Sequence, residues 1–170
     1  DYQKERLFSW LGFGDVINNA QVDNSILALA NGSLLGRGIG ESTFKYNGFI
    51  PEGQTDFILA IIGEELGFIG IALLFFLFFL LFIKGMKIAK TSNDRFGMFL
   101  AAGLSINIII YLVVNASYVV GLLPTTGLPI PFISYGGSQT IFTMLSIGIL
   151  LNISNQNRKN KIMDYYHAKL

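Results

Sequence analysis

The stretch FILAIIGEELGFIGIALLFFLFFLLFI, residues 57–83, decides the class of this protein. Glu64 and Glu65 alone interrupt its apolar character. As a helix it runs about 40 Å at 1.5 Å per residue, longer than the ~30 Å hydrocarbon core of a bilayer, so it must tilt or emerge. Soluble core helices rarely carry a run such as Ile71 to Ile83. Working outward, Gly97–Gly121 and Ile133–Ile153 are also long and apolar enough to span a bilayer. The chain therefore reads as an all-α integral membrane protein with three transmembrane helices.

Composition agrees. Of 170 residues 52% are hydrophobic and 14% charged, against roughly 25% charged in soluble domains. Mean hydropathy is +0.54. The absence of cysteine excludes a disulfide-stapled module, and a net charge of +1 excludes a generally basic nucleic-acid binder. The charges are polarised along the chain. Lys84, Lys87, Lys90 and Arg95 face one acid, Asp94, in the first connection, and Arg158, Lys159, Lys161 and Lys169 face Asp164 in the tail. The positive-inside bias makes both cytoplasmic. The expected order is an extracytoplasmic loop over 1–56, a span over 57–83 and a cytoplasmic loop over 84–96. A span over 97–121, an extracytoplasmic loop over 122–132, a span over 133–153 and a cytoplasmic tail over 154–170 follow. Residues 1–56 would be exported without a signal sequence before them, and the chain opens on Asp1, so this topology predicts a span upstream and a longer protein.

Within the outer segment, Val22–Leu35 carries an apolar patch at residues 26–30 that Asn31, Gly32 and Ser33 cut short, which suits a short interfacial or re-entrant helix. Gly36, Gly38 and Gly40 follow around Arg37. Such a loop can bring backbone N–H groups and a guanidinium to phosphate, or can simply turn the chain. Pro51-Glu-Gly-Gln-Thr-Asp-Phe57 stands at the outer mouth of the first span, where Thr55 or Asp56 can cap the helix or Asp56 can act as a functional carboxylate. Glu64 and Glu65 lie about 12–14 Å below Asp56 along the helix axis, and roughly 80° and 180° round from it. Buried charge in a membrane is costly, so one Glu is expected near a cavity continuous with Asp56 and the other beside a cation, each open to a purely structural reading. Asn107, Tyr111 and Asn115 form a stripe at i, i+4, i+8 suited to interhelical hydrogen bonds. Ser134, Ser138, Gln139, Thr143 and Ser146 allow close helix contact. Between these spans Pro124, Pro129 and Pro131 with Gly127 make a stiff, shaped loop.

Together these motifs resemble the SEDS family, the FtsW, RodA and SpoVE membrane proteins of bacteria. The resemblance runs from about Ser33 to Ile153. It rests on Pro51-Glu-x-x-Thr-Asp-Phe57, Gly63-Glu-Glu-Leu-Gly67 and Gly121-Leu-Leu-Pro-x-x-Gly-Leu-Pro-x-Pro-Phe-Ile-Ser-Tyr-Gly-Gly-Ser138. It implies the C-terminal part of a bundle of about ten helices in the bacterial cytoplasmic membrane. It also implies a peptidoglycan glycosyltransferase that polymerises lipid II and works with a class B penicillin-binding protein. The family's essential aspartate falls on Asp56. Ser42-x-x-Lys45 looks more like the FtsW and SpoVE branch, and Gln54 stands where the family commonly has His.

The physical reading is compatible with that chemistry. A lipid-linked diphospho-sugar presents its anomeric carbon at the outer headgroup level, and inverting transfer needs a base for the acceptor hydroxyl. Asp56 is the catalytic candidate. Arg37, Lys45, Glu52, Gln54, Thr55, Glu64, Asn115, Ser134 and Ser138 are the candidate substrate contacts. No tightly bound cofactor is expected, and Mg²⁺ or Mn²⁺ would arrive with the diphosphate. Membrane lipids are the surroundings and nucleic acid is no partner. Two other classes stay open on residues alone: a flippase or transporter of the lipid-linked precursor, using a polar route past Glu64 and Glu65, and a non-catalytic scaffold for the transpeptidase.

Overall fold

The computed structural model describes residues 16–46 and 55–167, and within them the side chains of residues 20–44, 55–160, 162 and 163. The described residues are helical, with no strand: α1 Val16–Gly32, α2 Thr43–Tyr46, α3 Ile58–Lys90, α4 Arg95–Val119 and α5 Gly137–His167. Three of these, α3, α4 and α5 (over Gly137–Asn160), are long and apolar enough to cross a membrane. Most of their apolar surface faces outward, with Phe68, Phe76, Phe79, Ile110, Phe142 and Leu145 among the exposed side chains. In water that exposure would be an aggregation hazard; in lipid it is the ordinary state.

The chain divides into two compact units. One comprises residues 1–76 and 111–136, the other 77–110 and 137–170. In the second unit Ala89, Ala101, Leu150 and Ile153 form a buried cluster flanked by Ile88, Met98, Leu104 and Ile147. Small residues let the helices approach: Gly85 lies against the Ser105 side chain with no room for a Cβ. The α3–α4 turn is closed by Asp94, whose Oδ2 accepts the Gly97 N–H at 3.0 Å, the arrangement of a helix N-cap. Asn157 of α5 donates to the Ile88 carbonyl at 3.1 Å. Lys87 and Lys90 occupy the last turn of α3, where cations complement the helix dipole.

The first unit holds the feature that reading the sequence as one continuous span misses. α3 is broken at Gly67, which adopts φ 68°, ψ −168°. Breaking an α-helix there frees the carbonyls of residues 64 and 65 and the amides of residues 68 and 69, and in a membrane such groups need partners. The segment 33–38 supplies all four. Arg37 N–H donates to the Glu64 carbonyl and Gly38 N–H to the Glu65 carbonyl, both at 3.0 Å; Phe68 N–H donates to the Ser33 carbonyl at 3.0 Å and Ile69 N–H to the Leu34 carbonyl at 3.2 Å. α1 brings that segment in. Its Ser25 hydroxyl lies 2.6 Å from the Val119 carbonyl at the end of α4, Leu29 covers Gly63, and Gly32 touches the Gly63 carbonyl and the Glu64 backbone. The short helix expected over 22–35 thus exists as α1, starting earlier and docked against a span at its C-terminal end.

Gly36 and Gly67 face each other across this junction. A Cβ on either would collide with backbone, Gly36 with Glu65 and Leu66, Gly67 with Gly36 and Leu34. Both also have positive φ, +78° and +68°. Gly40, at φ +84°, has open space within 4 Å of where a Cβ would stand, so it isolates the backbone contribution. Gly40→Ala is expected to cost about 1 kcal/mol, and Gly67→Ala about 2–5 kcal/mol because overpacking adds to left-handed strain. Comparing the unfolding free energies of the two variants in detergent checks this, and equal costs would show that the junction yields.

Other boundaries also shift from the sequence expectation. α3 continues to Lys90 rather than ending at residue 83, because nothing between Lys84 and Lys90 breaks a helix. α5 begins at Gly137, not at residue 133, since residues 130–134 are held in a turn: Ser134 N–H donates to the Ile130 carbonyl at 3.1 Å, and the Ser134 hydroxyl accepts the Ile130 N–H at 2.8 Å. α5 then runs past residue 153 to His167.

Candidate active site at the N-terminal mouth of α3

Asp56 is half-buried in the turn over residues 55–57 that leads into α3. Its neighbour Phe57 is buried and sits edge-on to Tyr118, ring centroids 5.7 Å apart at 75°. Two α4 side chains hold the Asp56 backbone. Asn115 Nδ2 lies 2.9 Å from the Asp56 carbonyl oxygen and 2.8 Å from the Leu128 carbonyl oxygen. The Tyr118 hydroxyl lies 2.9 Å from the first carbonyl and 3.0 Å from the second, and also accepts from Asn115 Nδ2 at 2.5 Å. Both residues have 0% exposure. Because the hydroxyl has one proton it donates to one carbonyl at a time, and the amide serves the other. The two carbonyls are thereby drawn to one point, joining the mouth of α3 to the proline-rich loop.

That loop meets the Asp56 carboxylate directly. Gly127, at φ +69°, presents bare backbone to it: a Cβ there would stand 3.3 Å from Asp56 Oδ2. Ile130 and Pro131 beyond it are buried, and Phe132 is a non-glycine residue at φ 68°. A rigid, partly strained loop against a half-exposed carboxylate is the kind of arrangement that functional sites hold.

The other sequence candidates are dispersed. Thr55 is half-buried beside Asp56. Glu52 and Gln54 lie outside the described residues, and Lys45 falls in α2 outside the described side chains. The Arg37 side chain is exposed, and no described residue bonds it. Its backbone is fixed at the level of Glu64, two turns of helix along from Asp56. The glycine loop is no phosphate cradle built from the Arg37 and Gly38 amides, since the broken α3 takes both. Ser134 is buried and bonds the loop's own backbone, whereas Ser138 is exposed at the second residue of α5 and belongs to the other unit.

Of the readings open for Glu64, the structure shows a hydrogen-bonded, buried carboxyl. It is fully buried and its carboxylate is filled by neutral donors. Oε1 accepts from Asn31 Nδ2 at 2.8 Å, Thr43 N–H at 3.1 Å and Thr43 Oγ1 at 2.7 Å. Oε2 accepts from the Ser42 hydroxyl at 2.5 Å and Phe44 N–H at 3.4 Å. It pins the segment 31–44 to α3 and offers no open surface to a substrate. Among the described residues neither Glu bonds a cation, and Glu65 Oε1 is buried with no hydrogen-bond partner among them. Of the polar stripe on α4, Asn107 is exposed, Tyr111 is half-buried and Asn115 alone carries the site. Tyr118 is the residue holding the candidate site that the sequence reading does not single out. Its signal is the i, i+3 spacing from Asn115 on a face already marked as polar.

Comparison with known proteins supplies the family context. Residues 1–159 match the model of the cell cycle protein family of FtsW, RodA and SpoVE. The "Probable peptidoglycan glycosyltransferase FtsW" of Geobacter metallireducens is 44% identical over 158 residues, covering 92% of this chain and 42% of that protein. The protein of the same name from Bacillus subtilis is 47% identical over 146 residues, 83% of this chain and 36% of its own length. The stage V sporulation protein E of B. subtilis is 41% identical over 159 residues, 92% of this chain and 43% of its own. The chain thus spans about two fifths of the length of these curated relatives. A chain from a structure described as "Structural coordination of polymerization and crosslinking by a peptidoglycan synthase complex" superposes with a TM-score of 0.69 at 24% identity, over 92% of this chain and 42% of that one, and so shares the fold.

Proposed function

From the premise that this chain belongs to the FtsW, RodA and SpoVE cell cycle protein family, and is part of a multi-pass membrane protein, we propose that it carries the catalytic carboxylate of a peptidoglycan glycosyltransferase that polymerises lipid II. The observation that carries this reading is Asp56. It is a half-exposed carboxylate at the mouth of a membrane helix, with its backbone carbonyl held by Asn115 and Tyr118 and its Oδ2 against Gly127.

In the proposed reaction a sugar hydroxyl of the acceptor attacks the anomeric carbon of a lipid-linked diphospho-sugar. The new C–O bond forms as the bond to diphosphate breaks on the opposite face, so the α linkage becomes a β-1,4 glycan. Asp56 takes the hydroxyl proton, and polyprenyl diphosphate departs with the bonding electrons. Diphosphate is a good leaving group whose charge needs neutralising. The exposed guanidinium of Arg37 is one candidate and Lys45 another. This reading has Mg²⁺ or Mn²⁺ entering on the diphosphate. The carboxylate of Glu64, filled by the protein's own donors, supplies no polar path for a flippase. A transpeptidase of the class B penicillin-binding type is the proposed partner, in keeping with the polymerisation and crosslinking named for the structural relative.

The test is glycan-chain synthesis from lipid II by the full-length protein with its transpeptidase. Polymer that depends on Asp56 supports the reading, and movement of precursor without chain growth overturns it. The membrane is proposed to be the bacterial cytoplasmic one, with residues 1–56 outside and the C-terminus inside. The chain has no native Cys, so single cysteines at Gly53 and Thr91 are expected to react with impermeant thiol reagents from the outer and the cytoplasmic side respectively. Reaction from one side alone would overturn the topology.

A further inference from the structure

We propose that Tyr118, together with Asn115, is a positioning device for Asp56: the pair holds the Asp56 and Leu128 carbonyls together and so sets the Asp56 carboxylate against Gly127. This rests on the glycosyltransferase reading above and adds two residues that act on the base without touching substrate. The argument is one of connectivity. Asp56 lies in a turn and not in a regular helix, so the α-helical ladder does not fix its backbone. The hydrogen bonds to its carbonyl come from the amide and the phenol of α4, at 2.9 Å each. The same two groups reach the Leu128 carbonyl, one residue beyond the Gly127 that faces Oδ2. Both side chains are fully buried, and so are out of contact with a substrate approaching the half-exposed carboxylate. A shift of about 1 Å in a catalytic group is enough to reduce turnover by around 100-fold, so the value of the pair lies in geometry and not in charge.

Tyr118→Phe separates this role from packing, because the phenyl ring retains the edge contact with Phe57 and loses only the hydroxyl. The experiment compares lipid II polymerisation by full-length protein carrying Tyr118→Phe, Asn115→Ala, the double change, or Asp56→Ala. Turnover is normalised to folded protein, and KM is measured separately. A positioning role predicts that turnover falls about 10-fold for Tyr118→Phe and about 100-fold for Asn115→Ala, with KM for lipid II within about twofold of the parent. The double change is expected to be less damaging than the product of the two single effects, because both act through the same carbonyls. Parent-like turnover in both single variants, alongside an inactive Asp56→Ala, would overturn the positioning role and leave the glycosyltransferase reading standing. Parent-like turnover in Asp56→Ala would instead overturn that reading. A rise in KM at unchanged turnover would place the pair in substrate binding and also overturn the inference.

Discussion

Replacing Asp56 by alanine is expected to reduce lipid II polymerisation by the full-length protein by about 100-fold or more, with the fold intact. The magnitude follows from the role proposed for it: a positioned general base contributes about 10²–10⁴-fold to a proton-transfer step. The fold should survive because the atoms that tie residue 56 to α4 are its backbone carbonyl and the Asn115 and Tyr118 side chains, none of which the substitution removes. Asp56→Asn keeps the shape of the side chain but exchanges one acceptor oxygen for an NH₂ and cannot take the proton, and it should lose activity to a similar degree. Polymer length distributions and initial rates from purified lipid II check both variants. Normal rates from a folded Asp56→Ala protein would remove Asp56 from the chemistry. Gly127→Ala is a gentler probe of the same place: its methyl would meet Oδ2 at 3.3 Å on a backbone that already disfavours a side chain.

Glu64 is expected to govern stability to a comparable degree. Glu64→Ala leaves the Ser42 and Thr43 hydroxyls, the Thr43 and Phe44 amides and the Asn31 amide without their common acceptor. An unsatisfied buried donor costs roughly 1–3 kcal/mol, and partial relaxation of the segment 31–44 reduces the sum, so a loss of about 3–5 kcal/mol is expected. Glu64→Gln keeps one oxygen for Asn31 and Thr43 but turns an NH₂ toward the Phe44 amide; about 1–2 kcal/mol is expected. Unfolding free energies measured in the same detergent check the order Ala worse than Gln worse than parent. An alanine variant within about 0.5 kcal/mol of the parent, the range of an ordinary surface substitution, would show that the pin holds nothing.

Much of the architecture was legible because membrane insertion is written in one dimension. Long apolar runs such as residues 71–83, flanked by Lys84, Lys87 and Lys90, have few alternatives in a folded protein. Asp56 stands out as a candidate for a related reason: a carboxylate at the end of an apolar run, in a motif shared with a family, differs from its neighbours. The break in α3 was not legible. Gly67 lies within an apolar helical pattern among several glycines, and nothing local distinguishes it from Gly63 or Gly70, which stay helical. What makes Gly67 different is the segment 33–38, about thirty residues earlier, whose amides and carbonyls replace the missing helical partners.

Glu64 shows the same division. Composition and spacing mark it as an anomalous charge in a span, which left a substrate contact, an ion pair and a hydrogen-bonded carboxyl open. Tertiary structure selected the last by bringing Asn31, Ser42 and Thr43 around its oxygens. The amino-acid sequence by itself determined that this is a helical membrane chain with three long apolar segments, and that the first of them follows a carboxylate, because hydropathy and charge act residue by residue. Which polar groups face each other was decided only by the fold. Hydrogen bonds between residues as far apart as Asp56 and Asn115 depend on backbone positions that no local pattern encodes.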